Sequence, residues 1–141
     1  MNSQPGGYSW RDVLAHRPED QHQAITERFL AAGVDAETVH SALVDGGDAL
    51  HAAASSGAEE WAQQFGGPLP AALLAAEVSL LAAHLVSRAS AVRALAVEAL
   101  LDDYSAVAVA AALGVSRQKV YDIGKGGSTT SFIDIAPWRH S

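Results

Sequence analysis

DDYSAVAVAAALGVSRQKVYDIGKGG, residues 102–127, reads as helix, tight turn, helix. Ser105 stands where an N-cap belongs, since its hydroxyl can accept one of the backbone N–H groups that open a helix without a partner. The alanine- and valine-rich run behind it predicts a helix to about Leu113. Gly114 supplies a turn position able to take positive φ. Ser116 then caps a second helix that opens with Arg117, Gln118 and Lys119 and ends near Gly124. Val109, Leu113, Val115, Val120 and Ile123 form the apolar set that packs the two helices against each other and against a third. Ala110 fits a point where two helix backbones approach closely.

Upstream, no glycine or proline occurs between Ala71 and Gly114. About 30 residues of helix-forming composition precede Asp102, roughly 45 Å of unbroken helix. Leu74, Val78, Leu81, Leu85, Arg88, Val92, Leu95 and Ala99 follow one another at steps of four and three, the spacing of a coiled-coil seam with one charged interruption. The helix is therefore the spine of a small helical domain, a dimerisation helix, or both. Arg88 on that seam must reach an edge or meet an acid such as Glu77 or Glu98, because an unpaired buried charge is costly.

The front half is also helical. Residues 1–17 are polar, with Tyr8, Trp10, Val13 and Leu14 scattered among them, and are expected to form a lead-in arm. Pro18 suits a helix start with Glu19 and Asp20 at its positive end, and Gly33 suits its stop. Ala24, Ile25, Phe29 and Ala32 give this helix its apolar face. A second helix follows Asp35, carrying Val39 and Leu43, and a short one covers Ala49 to Ala54. Ser56 with Glu59 matches a capping box, predicting a helix that bears Trp61 and Phe65 and stops at Gly66 and Gly67. Pro68 and Pro70 punctuate the chain beyond. The divisions are a lead-in arm (1–17), an acidic helical region (18–67), the long helix (68–103), the helix pair (104–125) and a tail (126–141). No convincing strand is present, and the fold class is all-α: a small helical bundle with a long central helix.

Composition sets the outer bounds. The chain has 141 residues, 29 of them alanine and none cysteine, and a formal net charge of -7. Disulfides, thiol nucleophiles and cysteine-held metals are excluded. Residues 1–66 hold ten acidic and three basic side chains, whereas residues 67–141 hold six of each. The acidity thus belongs to the front half and does not forbid a local nucleic-acid site in the other. The opening residues MNSQPGGYSW lack a basic cluster and an apolar run, and the apolar stretch at 69–89 is broken by Glu77, His84 and Arg88. A cytoplasmic protein with no membrane span is expected.

The segment at about 106–125 resembles the helix-turn-helix of bacterial DNA-binding transcription regulators. Ala110 lies four residues before the turn glycine Gly114, apolar residues fall at Val109, Leu113, Val115, Val120 and Ile123, and LGVSRQKVY is very like the turn and recognition-helix start of such proteins. The resemblance implies that residues 117–124 enter the DNA major groove. Arg117, Gln118, Lys119 and Tyr121 would make contacts there, Ser116 and Lys125 at the two ends. Arg and Gln suit base edges, while Lys, Tyr and a capping Ser more often hold phosphate. Arg117, Lys119 and Lys125 against Asp122 leave a local charge of only +2. Such sparse phosphate contact favours a homodimer, which doubles it.

Other signals point nowhere specific. ITERFLAAGVDAETVHSAL, residues 25–43, also places Gly33 and Val34 at a turn, but Asp35 and Glu37 stand where a phosphate would sit, so it is an acidic helix pair. GKGGST at 124–129 lacks the P-loop pattern. The six histidines have no metal-ligand spacing, and no nucleophile–base set is apparent, so neither a metal, a cofactor nor an enzyme is expected. Trp61, Phe65 and Phe29 are core or pocket residues. Phe132, Ile133, Ile135 and Trp138 in the tail need a surface to cover. The expected function is a dimeric, sequence-specific regulator bound to double-stranded DNA. The alternative is an acidic helical protein–protein interaction module (adaptor or antitoxin-like) whose partner meets the front half or the tail, the helix-turn-helix being structural.

Overall fold

A computed structural model of the chain describes residues 7–125. Among the described residues there are seven α-helices and no strand: α1 (Trp10–Val13), α2 (His22–Ala31), α3 (Ala36–Val44), α4 (Asp48–Ser55), α5 (Pro68–Asp103), α6 (Ala106–Leu113) and α7 (Arg117–Gly124). Two short 3-10 turns, Glu19–Gln21 and Trp61–Phe65, complete the set. The all-α expectation holds. The chain forms two compact units, the first running to Ala83 and the second starting at His84, within the length of α5. The tail residues Phe132, Ile133, Ile135 and Trp138 lie outside the described part.

In the front unit, the lead-in is part of the core. Ser9 accepts the Asp12 N–H at 3.1 Å and opens α1. This single turn buries Trp10 and Val13, with Leu14 just beyond it. Trp10 stacks on Phe29 of α2 with ring centroids 5.8 Å apart. Pro18 begins the 3-10 turn, so α2 starts only at His22. Asp35 caps α3 through the Thr38 N–H at 2.9 Å. The Asp45 carboxylate accepts from Gly47 and Ala49 at the head of α4. Gly47 has φ of 82°, and a Cβ there would come within 3.3 Å of Val78, so this corner needs glycine twice over.

The capping box expected at Ser56 does not form. Gly57 takes φ of 80° directly behind it and turns the chain away. The Ser56 hydroxyl donates to the Ala53 carbonyl, finishing α4, and accepts from the Ala58 N–H. Trp61 and Phe65 consequently ride on a 3-10 turn rather than a capped α-helix. Pro68 and Pro70, by contrast, sit inside the first turn of α5, where their missing N–H groups have no helical acceptor to lose.

The seam expected along α5 is only half covered. Leu74 and Leu81 are buried together with Ala71 and Glu77 in the front unit. Beyond His84 the buried line is Ala91, Ala94 and Val97, while Val92, Leu95 and Ala99 face water. The period was legible, but which side of the helix α6 and α7 would occupy was not. By length and composition α5 would also suffice to cross a membrane, yet Glu77 on its buried line is ion-paired within the front unit.

A candidate nucleic-acid interface on helix α7

The second unit is a three-helix corner. Val97 of α5, Val109 and Ala110 of α6, and Val120 and Ile123 of α7 form its core, with Leu100, Leu101 and Val115 packed around them. Ser105 accepts the Ala108 N–H at 3.1 Å and starts α6. Gly114 ends it at φ of 72°. The Gly114 and Val115 N–H groups both return to the Ala110 carbonyl, closing the turn. Ser116 then accepts the Lys119 N–H at 3.0 Å and starts α7. Each of these boundaries matches the sequence expectation. Leu113 departs from it: as the last residue of α6 it overhangs the corner and stays 42% exposed.

The turn at 33–35 has related backbone geometry. Gly33 is left-handed, and the Val34 N–H returns to Phe29 as Val115 returns to Ala110. Val39 and Val120, five residues beyond, are both fully buried. The chain therefore builds this corner twice. In the front copy, however, Asp35 and Glu37 occupy the places of Ser116 and Gln118.

On α7 the division of labour is clear. Val120 and Ile123 face the core, and Ser116, Arg117, Gln118, Lys119, Tyr121, Asp122 and Lys125 are all exposed. At 3.6 residues per turn, Arg117, Tyr121 and Lys125 line up along one edge, with Gln118 and Asp122 beside them. Lys119 stands apart on the flank nearer Ile123. Among the described residues, no carboxylate forms an ion pair with Arg117, Lys119 or Lys125. Gln118 Nε2 donates to Asp122 Oδ1 at 3.2 Å, so the one acid on this helix holds the one amide.

No protein-family model, curated protein or solved structure matches the chain. The site therefore stands on its residues alone.

Two other places stand out, both in the front unit. Glu77 is buried and receives three hydrogen bonds, from His16 Nε2 (2.7 Å) and from Arg17 Nε and Nη2 (both 2.9 Å). Burial pushes its carboxyl up, but hydrogen bonds from Arg17 and His16 and their charges outweigh that and bring it down to about 2. Arg88, for which Glu77 was a candidate partner, is half-buried and makes no ion pair among the described residues. The sequence signal for a paired acid was Glu77 itself, set three residues after Leu74 and four before Leu81. The second place is a shallow groove of about 280 Å³ lined by Gly47, Leu50, His51, Trp61 and Val78. Trp61 thus lines a groove as one alternative held, whereas Phe29 is core and Phe65 is half-buried outside that lining. Among the described residues no cluster of side chains could hold a metal ion.

Proposed function

We propose that the protein is a cytoplasmic, sequence-specific regulator that binds double-stranded DNA as a homodimer, laying α7 in the major groove. The observation that carries this reading is the exposed row of Arg117, Gln118, Tyr121 and Lys125, whose cations form no ion pair among the described residues. The row offers two cations without an ion pair among the described residues, a phenol, and the amide that Asp122 holds, groups suited to base edges and phosphates. Arg117 suits a guanine edge, Gln118 an adenine edge, and Lys119, Lys125 and the Ser116 hydroxyl suit flanking phosphates. The net negative charge of the front half disfavours loose, non-specific binding.

Selection of the purified protein against random duplex DNA tests this directly, followed by salt titration of the enriched sequence. Enrichment of one motif with a salt-dependent Kd is expected. No enrichment at low salt would overturn it and turn attention to a protein partner for the acidic front unit.

A further inference from the structure

In the second unit, α5 has a covered side and a bare one. Val97 and Leu101 pack toward α6 and α7. On the opposite side, Leu85, Arg88, Val92, Leu95, Ala99 and Asp102 succeed one another at steps of three and four, which keeps them on one stripe. Val92 is 61% and Leu95 46% exposed, and Leu85 and Arg88 are half-buried. An apolar centre left in water marks a surface for a partner.

The charges on this stripe specify which partner. Arg88 lies at one end and Asp102 at the other, with Glu98 and Asp103 alongside Asp102. Leu95 is the midpoint of Arg88 and Asp102, seven residues from each. We propose that a second copy of this chain covers the stripe in antiparallel orientation, about a two-fold axis close to Leu95. That arrangement sets Arg88 against the acidic end of the partner's stripe, twice, around a centre of Val92 and Leu95. A parallel pair would instead stack Arg88 on the partner's Arg88 and Asp102 on the partner's Asp102. Like charges facing each other are unfavourable, so the pattern selects the antiparallel register.

The proposal gives an orientation to the dimer of the DNA-binding reading and rests on that reading for its consequence. Because α6 and α7 lie on the opposite side of α5, pairing leaves both copies of α7 outermost. Three successive helix–helix spacings of 8–10 Å separate the outer layers by roughly 25–30 Å. That is the order of the ~34 Å between adjacent major-groove faces of a two-fold-symmetric site.

A charge swap followed by sedimentation equilibrium without DNA is the test. The unchanged chain is expected to form a dimer in the micromolar range. Arg88→Glu, and separately Asp102→Arg, should each weaken the dimer about tenfold or more, since two attractive pairs become two repulsive ones. The double variant should restore it, which parallel pairing cannot produce. Far-ultraviolet circular dichroism, unchanged in all three variants, excludes unfolding as the cause. A chain still monomeric at about 100 micromolar, roughly a hundredfold above a micromolar Kd, or a swap that fails to rescue, would overturn the antiparallel dimer. Neither result bears on DNA contact by α7, which is read separately by DNA selection and by Arg117→Ala.

Discussion

Arg17 grips the buried carboxylate of Glu77 with two parallel hydrogen bonds, Nε to Oε2 and Nη2 to Oε1, each 2.9 Å long. This ties the segment after α1 to the long helix across 60 residues of sequence. Only 3% of the Glu77 side chain and 16% of the Arg17 side chain reach water. Removing one partner from such a pair strands a charge, at a typical cost of 3–5 kcal/mol. Arg17→Met keeps the stem and deletes the fork. It should lower stability by about 3 kcal/mol in urea unfolding, seen as a reduced midpoint at constant slope. Arg11→Ala is the control, because the Arg11–Glu19 pair is 3.6 Å apart and exposed on both sides, and it should leave the midpoint unchanged.

The same cluster sets an acid limit on the fold. Glu77 has its carboxyl lowered from 4.5 to about 2. A group depressed in the folded state contributes stability that is fully present above its unfolded value and is lost as protons bind on the way down. The contribution, about 3 kcal/mol, should therefore hold above pH 5 and fade between pH 4.5 and about 2. Glu77→Gln should flatten this part of the stability curve, while the remaining carboxylates still titrate. If the variant's stability fell as steeply as the parent's over that range, the cluster would not be the source.

The helix-turn-helix corner should respond to local changes in a graded way. Ser116→Ala removes the acceptor of the Lys119 N–H, costing about 1 kcal/mol. Gly114→Ala meets no neighbouring atom within 4 Å, so any loss comes from the left-handed backbone at φ of 72° alone. It should cost about 1 kcal/mol or slightly more. Thermal unfolding of the two single variants and their combination should give separable losses.

That corner was legible because its determinants are local. A capping serine, a left-handed glycine and an apolar spacing all fall within 20 residues, and each acts on its own backbone neighbourhood. The front unit was less so. The S-x-x-E pattern at Ser56 and Glu59 was outvoted by Gly57, which a capping box read by spacing alone ignores. Trp10, Val13 and Leu14 looked scattered in a polar lead-in, since a one-turn helix is too short to display a period. Glu77 found Arg17 rather than Arg88 because pairing across 60 residues depends on how helices meet, not on their order. The heptad on α5 marked an apolar stripe correctly but could not say that α6 and α7 would take the other side.

On the proposed DNA-binding reading, Asp122 is the residue on α7 that works against the duplex, and it offers the sharpest test of that reading. It holds Gln118 Nε2 at 3.2 Å and places a negative charge beside Arg117, Tyr121 and Lys125. Asp122→Asn should tighten binding to duplexes in general, because one like-charge repulsion with phosphate disappears. It should also change the preference at the single base position facing Gln118, whose amide then loses a charged acceptor. Arg117→Ala should do the reverse, costing about 1–3 kcal/mol on the selected sequence and relaxing preference at one position. Lys119→Ala should weaken every sequence equally and reduce the salt slope by about one. Fluorescence anisotropy with the selected duplex, a single-base variant panel and three salt concentrations separates these effects. If Arg117→Ala and Lys119→Ala gave the same uniform loss, α7 would be holding phosphates only, and specificity would have to come from DNA shape or from elsewhere on the dimer.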